Sequence, residues 1–123
     1  MTKFTLVALL ATLWTSPERL SIRISNPLLE AGHSEQVTCR VPPDARNRWL
    51  EIGIEDYRSS GIQLEGERAP ITHQVLFLRV PCEAGAAYCT LSRNDSTSEK
   101  VLAKILISGC QDTILPNENE PIQ

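Results

Sequence analysis

From Leu20 onward, apolar and polar residues alternate along the chain instead of recurring at helical spacing. Leu20, Ile22 and Ile24 alternate with Ser21, Arg23 and Ser25, and Val37, Cys39 and Val41 with Gln36, Thr38 and Arg40. Val75, Phe77 and Val80 mark a third strand; Val101, Ala103, Ile105 and Ile107 mark a late one. A period of two sends successive side chains to opposite faces, so each segment predicts a strand with one buried face. The breaks are turn residues: Asn26-Pro27, Ala31-Gly32, Pro42-Pro43-Asp44, Ser59-Ser60-Gly61, Glu65-Gly66, Pro81 and Asn94-Asp95-Ser96. Short strands separated by turn chemistry predict an all-β sandwich or barrel. No internal repeat is visible.

The two ends do not share this pattern. One positive charge, Lys3, precedes residues 4–14 (FTLVALLATLW), an apolar run broken only by Thr5 and Thr12, and Pro17-Glu18-Arg19 stops it. This is the layout of a secretory signal peptide, too short to span a membrane, and it is assigned to residues 1–16. Ser16 sits at the expected end of that segment, although Trp14 stands where a small residue is usual. The far end, 111–123 (QDTILPNENEPIQ), is acidic, holds two Pro and has no period, and reads as a disordered tail. One domain of about 90 residues, 20–110, lies between them.

Composition narrows the role. Twelve basic residues against 15 acidic ones give a net charge of −3, which argues against a nucleic-acid surface. No apolar run is long enough for an integral span. His33 and His73 are far apart in sequence with no ligand spacing, so no metal or other cofactor is expected. Glu51, Glu55 and Asp56 gather carboxylates without the alternating loop a calcium site uses. There is no nucleophile elbow, and Gly61, Gly66 and Gly85 read as turn or corner glycines, not a phosphate cradle. Arg40, Arg46, Arg48 and Arg58 flank the Trp49 segment as a mixed-charge surface. Enzymatic activity is therefore not expected. The four Cys are either a disulfide framework in an exported chain or four thiols in a reducing one, and the signal-like start favours the first. The expected location is an oxidising one, secreted, periplasmic or extracellular.

Two segments carry a family resemblance. Residues 26–41 (NPLLEAGHSEQVTCRV) resemble the opening of an immunoglobulin-superfamily domain, in which a kink and a Gly turn lead into a strand B of form V-x-C. Trp49 follows Cys39 by ten residues, close to the family's Cys-to-Trp spacing. Residues 75–89 (VLFLRVPCEAGAAYC) resemble the strand E to strand F signature, with Glu83, Gly85 and Cys89 on its acid, its Gly and its second Cys. The resemblance implies a single Ig-like antiparallel β-sandwich of a short I-set or constant-like kind. It also implies a Cys39–Cys89 bridge between the sheets, which leaves Cys82 to Cys110. A hairpin turning at 94–97 supports that second pair, since it places Cys82 opposite the neighbourhood of Cys110; a Cys82–Cys89 link would fold back a segment the motif wants extended.

The chain departs from the family pattern at three points. Ala87 occupies the place of the corner tyrosine, with Tyr88 one residue late. Fifty positions between the two bridging Cys leave little room for extra middle strands. Strand C admits two registers. With Trp49 inward, Leu50, Ile52 and Ile54 form an outward apolar stripe; with those three inward, Trp49 is not the core tryptophan, and a bulge is the device that would reconcile them.

In such sandwiches function lies on end loops or on a sheet face. The candidate loops are 42–47, 64–71 and 92–98, the last bringing Arg93, Asn94 and Asp95; Asn94-Asp95-Ser96 is also a glycosylation sequon. The candidate face comprises Leu50, Ile52, Ile54 and Tyr88, which would mark a protein interface if they point outward. The expected role is an exported binding or adhesion module for a protein or surface glycan. The alternative is a structural or decoration domain of a virion or cell surface that self-associates weakly through its apolar face.

Overall fold

A computed structural model describes residues 19–110; the signal-like segment and the acidic tail both fall outside that range. Nine strands and no helix occur among the described residues: β1 (Ser21–Ile24), β2 (Leu28–Glu30), β3 (Glu35–Val41), β4 (Asn47–Ile54), β5 (Arg58–Gln63), β6 (Ile71–Phe77), β7 (Ala87–Arg93), β8 (Ser98–Ala103) and β9 (Leu106–Ser108). They build one sheet in the order β1-β3-β6 and a second in the order β5-β4-β7-β8, both antiparallel. A short pair, β2-β9, is parallel. The fold is all-β, as the alternation predicts. The parallel pair was not expected, because three residues of β2 are too few to show a period.

The two large sheets share one core. Val37, Cys39 and Val41 from β3 and Phe77 from β6 meet Leu50, Ile52 and Ile54 from β4 and Ala87, Cys89 and Leu91 from β7. Cys39 and Cys89, both fully buried, join the sheets through that core with their Cα atoms 6.1 Å apart. Cys82 and Cys110, Cα atoms 5.7 Å apart, tie the segment after β6 to the end of the described chain. Both pairings are those the sequence implied, and no free Cys remains among the described residues. Two disulfides in so small a domain fit an oxidising, extracellular compartment. No helix among the described residues is long and apolar enough to cross a membrane.

β4 resolves the register question against the outward stripe. Leu50, Ile52 and Ile54 are at most 1% exposed, whereas Trp49 is 45% exposed. Leu50 lies opposite Leu91, Ile52 opposite Cys89 and Ile54 opposite Ala87. The bridging Cys89 must point inward, so its neighbours across the ladder must too. A register shift between Asn47 and Trp49 does occur, but it turns Asn47 inward instead of Trp49. Three of the residues expected on a binding face are therefore core.

One further expectation changes. Ser59-Ser60-Gly61 is not a turn but the middle of β5; the reversal comes earlier, where Asp56 takes φ 60° and Tyr57 N donates to Ile54 O. One middle strand therefore fits between the bridging Cys, and the chain then passes directly to β6. Ala87 is buried at the corner position, and the approach to β7 is held by Glu55, whose N donates to Ala86 O and whose O and Oε1 accept from Gly85 N and Ala86 N. At the end of β6, Gly32 N donates to Val80 O, Val80 N donates to His33 O, and the Tyr57 hydroxyl donates to Leu78 O.

Candidate functional site

The outer surface of the β5-β4-β7-β8 sheet follows from the register. Three rows cross it: Ser59, Gly53, Tyr88, Leu102; Gly61, Glu51, Thr90, Lys100; and Gln63, Trp49, Ser92, Ser98. Half of the twelve are Gly, Ser or Thr, and the larger side chains stand above them. Trp49 leans over Gly61, where a Cβ would overlap the indole, and Tyr88 lies over Gly53, where a Cβ would come within 2.6 Å of the ring. The glycines thus serve as seats for aromatic rings, a cross-strand arrangement that offsets the poor strand propensity of Gly.

Polar groups orient this face. The Tyr88 hydroxyl donates to Glu51 Oε2 at 2.7 Å, and Lys100 Nζ stands 5.0 Å from the centre of the Tyr88 ring. Partial burial, and then the hydrogen bond to the Glu51 carboxylate, raise the Tyr88 hydroxyl above the ordinary phenol range. Tyr88 is therefore fixed in place and neutral at physiological pH. Trp49 and Leu102 (56% exposed) are the large apolar groups this face leaves to solvent. Tyr88 is the one residue of the expected face that the structure places on it. Trp49 reaches this face through the second of the two registers open to strand C, and the parity of β4 against Cys89 in β7 selects that register.

The loop cluster does assemble at one end. Asn94 N donates to Arg46 O at 2.8 Å, and Asp44 N donates to Glu67 O at 3.2 Å, so loops 42–47, 64–70 and 94–97 meet. The charges of loops 42–47 and 94–97 are spent on each other and on the flanking strands. Arg46 pairs with Asp44 at 2.8 Å and with Asp95 at 2.6 Å; Arg93, whose side chain is 11% exposed, pairs with Glu99 at 2.8 Å and with Asp44 at 3.4 Å. Asp95 also accepts from the Thr97 hydroxyl and amide, which with Arg46 lowers its carboxyl to about 2. Hydrogen bonds from Arg46 hold Asp44 lower still, well below the usual carboxylate range. The buried Asn47 amide caps the arrangement by donating to Pro42 O at 2.8 Å and accepting from Arg93. Arg93 and Asp95 thus sit in an internal clamp, while Asn94 is exposed with its sequon at the turn.

The other candidate groups disperse. Glu51 holds Tyr88, and Glu55 accepts from Ala86 N. His33 is exposed beside Glu30, and His73 lies across from Cys39. No three His, Cys, Asp or Glu side chains come together as a metal-ligand set among the described residues. The four arginines are no single patch: Arg40 belongs to β3 of the opposite sheet, Arg48 donates to the Ala45 and Asn47 carbonyls, and Arg58 stacks on Tyr57 at 5.3 Å. Comparison with known families matches none, and no curated protein is significantly similar to the chain.

Proposed function

We propose that this chain is an exported, immunoglobulin-like recognition domain that binds a partner protein through the outer face of the β5-β4-β7-β8 sheet. The observation that carries the reading is Trp49: an indole 45% exposed within a strand and seated on Gly61, on the same face as the fixed Tyr88 two rows away. Rigid aromatic groups lose little entropy when buried, so they anchor protein interfaces. The rest of the face is uncharged apart from Glu51 and Lys100, a surface on which a partner can rest without desolvating many charges. The two disulfides and the signal-like start support a life outside the cell. The reading is non-enzymatic, with no cofactor.

The test uses multivalent full-length protein against an array of extracellular proteins and glycans. A protein partner captured by the wild type should be lost at least about tenfold by Trp49→Ala, since truncating a central anchor costs about 2 kcal/mol or more. Arg46→Ala should leave capture intact. A partner lost with Arg46→Ala but kept by Trp49→Ala, or a response confined to glycans, would overturn the proposal.

A second reading, self-association through the same face, has one specific support. Glu51 and Lys100 share a row on it, so two copies related by a twofold axis can present opposite charges to each other. A sedimentation coefficient that rises with concentration and is fixed at the monomer value by Trp49→Lys would select it.

A further inference from the structure

The sandwich is left open along one side, and the opening has a chemistry of its own. Among the described residues, β5 pairs only with β4 and β6 only with β3, so each ends its sheet with a hydrogen-bonding edge that no described strand covers. Between those edges runs a cleft of about 470 Å³, lined on one side by residues 57–60 and on the other by residues 75–79. The Tyr57 hydroxyl, donating to Leu78 O, joins its two walls.

Natural sheets guard such edges with charge or proline. The edges on the opposite side of the molecule follow that rule: β1 carries Arg23, and β8 carries Glu99 and Lys100. The β6 strand (ITHQVLF) carries no Lys, Arg, Asp, Glu or Pro, and β5 has only Arg58 at its start. Leu76 and Leu78 stand 57% and 58% exposed along the cleft. Its two charged lining residues are Arg58 and Arg79, both basic, with no carboxylate among the residues that line it. Arg79 is held at φ 52°, a left-handed backbone that costs a non-glycine residue about 1 kcal/mol or more and recurs where a side chain is being presented.

We infer that this cleft is a second binding site, which takes an extended segment of a partner protein in which apolar residues alternate with carboxylates. The segment adds as a strand to the free edge of β6. Its backbone supplies the missing ladder bonds, its apolar side chains cover Leu76 and Leu78, and its carboxylates reach Arg58 and Arg79. Charge complementarity sets the class of the occupant: a basic or neutral strand would gain the ladder and lose the ion pairs. The site meets the Trp49 face only at Ser59, so the two surfaces are separable by mutation.

The experiment selects a phage-displayed library of random linear decapeptides on the immobilised full-length chain. Enrichment of sequences alternating Asp or Glu with Val, Ile, Leu or Phe is expected, with affinity lost at least tenfold by Arg58→Glu/Arg79→Glu and by Leu76→Asp, and unchanged by Trp49→Ala. All substituted side chains are exposed or at the surface, and an unchanged thermal midpoint verifies that each variant folds. Hydrogen exchange on the complex should show new protection in the amides of β6. Peptides without the acidic alternation, or binding indifferent to Arg58 and Arg79, would overturn the inference. Enrichment seen only after Asp112→Asn/Glu118→Gln/Glu120→Gln would also overturn it, by assigning the cleft to the chain's own C-terminal segment.

Discussion

The outer sheet face and the clamped loop end are both polar-rich surfaces of the same sandwich, yet they spend their side chains in opposite ways. At the loop end Asp44, Arg46, Arg93, Asp95 and Glu99 form a chain of ion pairs. A partner docking there would have to break or desolvate pairs already made, which roughly cancels what it gains. On the sheet face the polar contacts hold Tyr88 in place, while Trp49 and Leu102 are left with apolar area uncovered. Charge density and uncovered apolar area thus single out different surfaces of this domain. What counts is which groups still have contacts to make.

The largest effect that tests the contrast lies within one strand. Leu50→Lys or Ile52→Lys places an ammonium in the core opposite Leu91 or Cys89 and should cost more than about 4 kcal/mol, enough to unfold most of the protein. Trp49→Lys, one residue away, should cost about 1 kcal/mol or less while abolishing partner capture. Urea denaturation reads both. Comparable losses at positions 49 and 50 would mean that Trp49 is structural and the face is not poised for binding.

Next in size is the loss of a ring's seat. Gly61→Val removes the space under Trp49, and Gly53→Val the space under Tyr88; each should cost about 1–3 kcal/mol, the usual range for overpacking. The more telling readout is optical. Trp49 is the one tryptophan of the described residues, so Gly61→Val should red-shift its emission as the indole swings into water. An unshifted spectrum would show that Gly61 does not position the ring.

Why the fold was legible and the face was not can be traced through single residues. Alternation at 20–24, 37–41 and 75–77, with turn chemistry between, needs only local rules, and β1, β3 and β6 lie there. The disulfides followed from the motif around Glu83, Gly85 and Cys89. β4 (NRWLEIGI) offers large apolar residues on both faces, so its own sequence is balanced between registers. The balance is tipped by Cys89 across the ladder, a contact some 37 residues away. β5 failed for a related reason. Ser59-Ser60-Gly61 has turn composition, and only the indole resting on Gly61 makes the glycine suitable for a strand. The clamp at the loop end was half legible: the turn residues were evident, but their pairing with Arg46 depends on loops nearly 50 residues apart.

The smallest effect belongs to that clamp, and it is a pH effect. Asp95 is held near pKa 2 in the folded state by Thr97 and Arg46, below the ordinary value of 3.8. A carboxyl depressed on folding adds stability above its unfolded pKa and loses it as pH falls through the folded one. The contribution of Asp95 should therefore be complete above about pH 4 and gone near pH 2, with that of Asp44 persisting to lower pH still. Because Asp95 is exposed and Asp44 partly so, salt should weaken the effect. A carbon-13 titration of the Asp95 side chain should give a midpoint near 2, rising part of the way toward 3.8 in Arg46→Ala, since the bonds from Thr97 remain. A midpoint already near 3.8 in the wild type would mean that the clamp is open in solution. Asp95 and Arg46 would then be available to a partner, and the contrast between the two surfaces would fall.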